Sequence, residues 1–237
     1  MIEFHSYFNS PPVFLYSFYM KTTKLLPVNK EFRINNIFCV GKNYADHAKE
    51  MGGEVPKEPI IFLKPTSAVI DSGQAIVLPK ISKNVHHEVE LTILIGKRGK
   101  DIPLSEAMQH VAGYGVGLDM TMRDKQSEAK KGGNPWSISK GFDTSAPLSP
   151  FIEASMITDP HNLEIRLTVN GKERQRSNTK NMIYRIDVLI SFLSSIFTLE
   201  EGDIIYTGTP EGVAQVIAGD VLEAEIPGVG KLLHTVQ

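Results

Sequence analysis

The sequence is poor in thiols. Cys39 is the single cysteine among 237 residues, which excludes an intrachain disulfide and a thiolate zinc cluster. It lies in the apolar run Ile37-Phe38-Cys39-Val40 and reads as a small core side chain rather than a catalytic thiol. No stretch approaches the ~20 apolar residues that a membrane-spanning helix needs. Charge of one sign is not in excess: 25 Lys and Arg stand against 27 Asp and Glu, a formal net charge of -2. That balance favours neither nucleic acid nor an anionic membrane surface as a partner. Internal repeats, low-complexity blocks and long linkers are absent. The glycine spacings match neither a phosphate-binding P-loop nor a dinucleotide fingerprint, and no Gly-x-Ser-x-Gly elbow occurs.

What remains is an ordinary folding composition, 41% hydrophobic and 22% charged, with enough chain for one domain and a sizeable core. The N-terminus carries an aromatic, apolar octet, Val13 to Met20, followed by Lys21 and Lys24. A secretory signal places its basic residues before the apolar core, whereas Glu3 and His5 precede this one. The expectation is therefore no signal and a cytoplasmic protein, with Met20 an alternative start. Residues 1–33 read as an N-terminal arm and 34–237 as the main domain.

From Ile34 the pattern is regular. Ile34 to Val40 reads as a strand, and Tyr44 to about Met51 as a short helix capped by Asn43. Pro59–Leu63, Ala75–Leu78 and Val85–Ile95 read as strands, Ser105–Val111 as a helix, and the glycine-rich Gly113–Leu118 as a strand delivering Asp119. Leu163–Val169 and Lys172–Gln175 flank Asn170-Gly171, a two-residue hairpin turn. Met182, Ile186, Leu189, Ile190, Leu193, Ile196 and Phe197 recur at helical spacing, predicting an amphipathic helix over 181–197. Two turn-then-strand segments follow, Gly202–Tyr206 and Gly219–Leu222. Strands do not alternate with helices, so a doubly wound fold is disfavoured and a strand-rich α+β domain of mixed sheets is expected.

Chemistry concentrates in a few places. In His87-Glu88-Val89-Glu90-Leu91 the period of two puts Glu88 and Glu90 on one face. Adjacent carboxylates repel unless a cation lies between them, and oxygen-only ligands suit Mg2+ or Mn2+. A solvated strand edge explains the same pair, but Thr92-Ile93-Leu94-Ile95 is too apolar for an edge, and Asp119 could complete a site. On a helix starting at Asp119, that residue, Arg123 and Gln126 share a face. An anion could bridge cation and guanidinium there, and a surface salt bridge between Asp119 and Arg123 fits equally well. His47 and Glu50 at i, i+3 can form a carboxylate-polarised base or a surface pair. Lys140 and the loop Thr207-Gly208-Thr209-Pro210-Glu211-Gly212, whose backbone N–H groups could hold a carboxylate, complete the candidates.

Taken together, Asn43-Tyr44-Ala45-Asp46-His47, Phe62-Leu63-Lys64-Pro65, His87-Glu88-Val89-Glu90-Leu91, Leu118-Asp119-Met120-Thr121-Met122-Arg123-Asp124 and Gly202-Asp203 through Thr207-Gly208-Thr209-Pro210 resemble the fumarylacetoacetate hydrolase family. The branch resembled is the short acylpyruvase and oxaloacetate decarboxylase-like one, over roughly residues 34–237. The resemblance implies a β-roll of mixed sheets and a homodimer. It implies Glu88, Glu90 and Asp119 as metal ligands, and His47 with Glu50 as a water-activating pair on a lid. It implies Lys140, Arg123 and Gln126 on substrate oxygens, Thr209 beside the substrate carboxylate, and Lys64 as a further substrate contact. The implied activity is metal-dependent C–C hydrolysis of a small acylpyruvate-type β-diketo acid to pyruvate and a carboxylic acid. Oxaloacetate decarboxylation or enol–keto tautomerisation could use the same site. A non-catalytic binding protein would lack a carboxylate or the histidine, and this sequence lacks neither.

Overall fold

The computed structural model describes residues 20–50 and 57–237. Its frame is a curled ten-stranded mixed sheet, strand-rich α+β as expected. At its centre the strand Val89–Ile95 pairs antiparallel with Val111–Leu118 on one side and Ile204–Tyr206 on the other. Ile204–Tyr206 in turn runs parallel to Ile37–Gly41. A four-stranded sheet, with Glu164–Val169 and Val221–Ile226 at its middle, packs over the central strands. A three-stranded ribbon holds Val85–His87, Thr121–Met122 and Ala214–Gln215. Four short helices complete the fold among the described residues: α1 (Ala45–Glu50), α2 (Arg123–Gly132), α3 (Ser137–Lys140) and α4 (Ile186–Ile196). None is long and apolar enough to cross a membrane.

Every residue of Val89–Ile95 is buried, because both faces are covered. Leu91, Ile93 and Ile95 join the larger core with Ile165, Leu167 and the α4 stripe Ile186, Leu189, Ile190 and Leu193. Leu94 faces the smaller core with Cys39, Phe151 and Tyr206. Two-sided burial gives a continuous apolar run instead of alternation. The glycines of Val111–Leu118 allow close packing here: a Cβ on Gly117 would sit 2.4 Å from the Tyr206 ring. The hairpin turn forms as expected, Asn170 and Gly171 both taking the left-handed conformation (φ 52 and 73) of a primed turn.

Several elements differ from expectation. Val85–Ile95 is two strands, because the chain leaves the ribbon and enters the large sheet at Glu88. The segment before α4 is not helical. Asn43 captures it, its carbonyl accepting the Ile183 N–H and its side-chain Oδ1 the Tyr184 N–H. The same contact takes the Asn43 side chain away from the capping role assigned to it. Ser105–Val111 yields a single 3-10 turn, Ala107–His110, because the His110 carbonyl already accepts from Gly96 where the next strand begins. Ala75–Leu78 is extended but makes only one bridge, Ile76 to Val236. Thr22–Leu26 and Lys30–Arg33, assigned to the arm, form a hairpin on the sheet edge with Leu25 and Phe32 buried. Residues 1–19 of that arm, and Met51 at the expected end of the first helix, lie outside the described residues.

Candidate metal centre and cavity

The central strand pair sets the site. Its register places Val89 opposite Leu118 and Glu90 opposite Gly117. Asp119, one step beyond the strand, donates its N–H to the Glu88 carbonyl at 2.8 Å. Carboxylates from Glu88, Glu90 and Asp119 consequently converge, with one oxygen of each within 4.8 Å of the others. All three are buried, at 4%, 1% and 1% exposure. Such a cluster survives burial only with compensating charge or protons.

Cations supply part of it. Lys140, the last residue of α3, donates to Glu88 Oε2 at 2.8 Å, to Asp119 Oδ2 at 2.5 Å and to Thr121 Oγ1 at 2.6 Å. Arg123 forms a close ion pair with Glu88 and donates to Gln126 Oε1 at 2.7 Å. Burial disfavours the Glu88 anion, but the charges of Lys140 and Arg123 outweigh it and hold this carboxyl well below its usual range. Burial likewise opposes the charge of Lys140, and Asp119 with Glu88 overcomes it, so this ammonium is held more tightly than usual. Glu90 faces no such partner. Burial, then Asp119 and Glu88, push its carboxyl well above the ordinary range, and the Gly208 N–H at 2.6 Å and the charge of Lys140 pull the other way without cancelling it.

Over this floor stands α1. His47 is 5% exposed, and its Nδ1 lies 3.3 Å from Glu50 Oε2. Burial lowers the His47 pKa, while Glu88 and Glu50 pull it upward without cancelling the effect. The ring is therefore neutral at pH 7. With Nδ1 engaged by Glu50, Nε2 is the nitrogen left to act as a base. Glu50 is fixed in turn by the Gly212 N–H, 3.2 and 3.1 Å from its two oxygens.

A narrow cavity opens above the cluster, lined by His47, Glu88, Asp119, Arg123, Gln126, Thr209 and Lys140 among others. Lys64, expected to contact substrate, is absent from that lining. Its side chain is fully buried behind Asp119, ion-paired to Oδ1 at 2.8 Å and donating to Ser145 Oγ at 3.1 Å and to the Lys140 carbonyl. It holds Asp119 from behind instead of facing the cavity. Two of the loop N–H groups expected to bind a ligand carboxylate are taken by the protein's own, Gly208 by Glu90 and Gly212 by Glu50. Thr209 lines the cavity, but its hydroxyl donates to the Val89 carbonyl at 2.8 Å. No hydroxyl proton is left for a substrate carboxylate. Arg123 and Gln126 reach the site from α2, which starts at Arg123 rather than at Asp119. Arg123 pairs with Glu88 across the fold rather than with Asp119 along a helix face.

Gln175 escaped sequence reasoning. It is 1% exposed. Its Oε1 accepts the Val89 N–H at 3.1 Å and lies 2.9 Å from the His87 ring, and its Nε2 donates to Thr209 Oγ1 at 2.8 Å and the Pro210 carbonyl at 2.9 Å. It ties the loop to the metal-candidate strand. A glutamine in the polar run Lys172–Asn178 carries no signal that distinguishes it from its exposed neighbours.

The residues present fit a hard divalent cation. The donor set is oxygen only. Glu90 is a carboxyl that the protein alone does not keep ionised. Asp119 Oδ1 is buried and accepts no hydrogen bond, because Lys64 approaches it without alignment.

Residues 36–237 match the model of the fumarylacetoacetate (FAA) hydrolase C-terminal family. The chain belongs to the fumarylacetoacetate hydrolase family. It is 50% identical over 201 residues to oxaloacetate tautomerase FAHD1, mitochondrial, of Arabidopsis thaliana, covering 85% of this chain and 90% of that protein. The crystal structure of fumarylpyruvate hydrolase from Pseudomonas aeruginosa in complex with Mn2+ and pyruvate superposes with a TM-score of 0.88 at 41% identity. That match covers 92% of this chain and 95% of the other. The 5-carboxymethyl-2-hydroxymuconate delta-isomerase of Mycobacterium smegmatis follows at TM-score 0.77 and 42% identity, covering 86% and 79%. Members of this enzyme family are thus named for both hydrolysis and isomerisation.

Proposed function

We propose that this fumarylacetoacetate hydrolase family member is a divalent-cation-dependent enzyme for enolisable 2-oxo acids, with enol–keto tautomerisation of oxaloacetate as its primary reaction. The observation that carries this is the buried carboxylate triad beneath a neutral, carboxylate-oriented histidine. The 50% identity to an oxaloacetate tautomerase supports the choice of substrate.

Glu88, Glu90 and Asp119 would hold Mg2+ or Mn2+. Bound there, the cation would supply Lewis acidity that favours negative charge on the substrate's keto oxygen. The protein's own groups do the rest. His47 Nε2 takes a proton from C3 of the keto form and leaves the electron pair as an enolate, and the His47 imidazolium then returns that proton to the oxygen, giving the enol and the neutral base. The reverse order of proton transfers returns the ketone. Glu50 keeps Nδ1 protonated and so keeps Nε2 basic. Lys140 sets a fixed positive charge beside the oxygen that gains charge, in a buried setting where such a charge counts for more than in water.

A second reading is hydrolysis of acylpyruvates to pyruvate and an acid. The likeness to a fumarylpyruvate hydrolase favours it. His47 would then deprotonate a water that attacks the far carbonyl, and the C–C bond would break toward the pyruvate enolate. Oxaloacetate decarboxylation needs the same enolate but no base.

The test supplies Mg2+- or Mn2+-loaded protein with oxaloacetate, acetylpyruvate and fumarylpyruvate, and follows enol absorbance, pyruvate and CO2 separately. Loss of the oxaloacetate enol signal without pyruvate or CO2 is the expected result. Pyruvate plus an acid from the diketo acids would put hydrolysis first, and pyruvate plus CO2 from oxaloacetate would put decarboxylation first. No change with any substrate would overturn the reading.

A further inference from the structure

The cations of the cavity floor are paired with its acids, whereas two at its mouth are not. Arg123 bonds Glu88 and Gln126 through its terminal nitrogens, and Lys140 bonds Glu88 and Asp119. Two further cations line the same cavity, Lys42 and Lys130. Neither forms a salt bridge or hydrogen bond from its side chain among the described residues. Lys130 projects from the last turn of α2 at the exposed rim, its Nζ 5.1 Å from the centre of the Trp136 ring. Lys42 sits at φ 56, in the left-handed region where an L side chain is strained. Partial burial and the charges of Arg123, Lys42 and Lys140 all lower the Lys130 pKa, with only Glu88 opposing. The rim therefore carries positive charge that no acid of the described chain neutralises.

We propose that Lys42 and Lys130 form a second anion subsite that takes the far carboxylate of a dianionic substrate, and so select 2-oxo dicarboxylates over 2-oxo monocarboxylates. This inference rests on the reading of the floor as the seat of the 2-oxo acid head. A ligand seated on the buried carboxylates extends outward, and the exposed rim is where its other end arrives. The Trp136 ring holds the Lys130 ammonium in place from one side and leaves its other side to a carboxylate.

Binding decides the matter without turnover. Titration calorimetry of Mn2+-loaded protein compares pyruvate with 2-oxoglutarate, which shares the head and adds a carboxylate. The wild-type protein should bind 2-oxoglutarate at least about fivefold tighter, and the preference should shrink with added salt. Lys130→Met and Lys42→Met should each lower 2-oxoglutarate affinity about fivefold while pyruvate affinity stays constant, and Lys130→Arg should retain the preference. Equal binding of the two acids, or variants that weaken both alike, overturns the subsite. Binding of neither acid overturns the floor reading and this inference together. A charge-dependent preference for 2-oxoglutarate in a protein inert toward oxaloacetate and acylpyruvates would sink the proposed reactions and leave the subsite standing.

Discussion

Gly208 donates its N–H to the Glu90 carboxylate at 2.6 Å. That bond joins the Thr207–Gly212 loop to the triad, at an acid that forms no salt bridge among the described residues. A Cβ on Gly208 would lie 2.6 Å from the Asn43 Cβ, and its φ is +96, so the approach depends on glycine.

Glu90→Gln keeps the shape and the acceptor for Gly208 but removes the charge. Affinity for Mn2+, measured by calorimetry, should fall at least about tenfold. In chelator-treated protein the sign for stability is opposite. The folded-state pKa of Glu90 is raised, so at neutral pH this side chain opposes folding, increasingly as pH climbs above the ordinary carboxylate range. The metal-free variant should therefore melt no lower than wild type at pH 7, and its melting temperature should depend less on pH.

His47→Ala should cut kcat about 100-fold or more with Mn2+ affinity unchanged. Equal loss of both would mean that His47 supports the metal site instead. Because the His47 pKa is lowered, the acid limb of the kcat profile should fall below the ordinary histidine value of 6.5. Glu50 raises that pKa through its hydrogen bond and charge. Glu50→Gln should accordingly move the limb to still lower pH while reducing kcat.

Lys140→Met leaves Glu88 and Asp119 without the ammonium between them. Removing one partner of a buried ion pair typically costs about 3–5 kcal/mol. The metal-free variant should show a large drop in melting temperature, and saturating Mn2+ should restore most of it. Turnover should stay low under those conditions, because the fixed charge beside the substrate oxygen is gone.

Gln175→Leu removes partners from the Val89 N–H, His87, Thr209 and Pro210 at once. Unsatisfied buried polar groups cost about 1–3 kcal/mol each. The urea midpoint should fall, and KM should rise more than kcat falls, since the loop and not the triad is what loosens. An unchanged midpoint would remove Gln175 from the frame of the site.

Particular residues show how much was legible beforehand. The apolar length of Thr92–Ile95 revealed a central strand, and with it that Glu88 and Glu90 are buried. The glycine-rich run announced the strand that ends at Asp119. His47 and Glu50 lie three residues apart on one short helix, so their contact follows from local geometry. Arg123 was assigned to a helix starting at Asp119, yet its partner proved to be Glu88, 35 positions away. Lys64 and Thr209 are assigned to substrate only through the family resemblance. Their contacts with Asp119 and Val89 depend on strands brought together from distant parts of the chain.

The sequence by itself determined which acids lie on the central strands and which base stands next to a carboxylate, because helical and strand periods act over a few residues. Only the tertiary structure decided how those acids are neutralised. Lys64, Lys140 and Arg123 are all cations, and nothing in a local pattern separates one buried against Asp119 from one free at the cavity mouth like Lys130. Charge compensation acts through space between segments far apart in the chain, so it exists only once the sheets have closed.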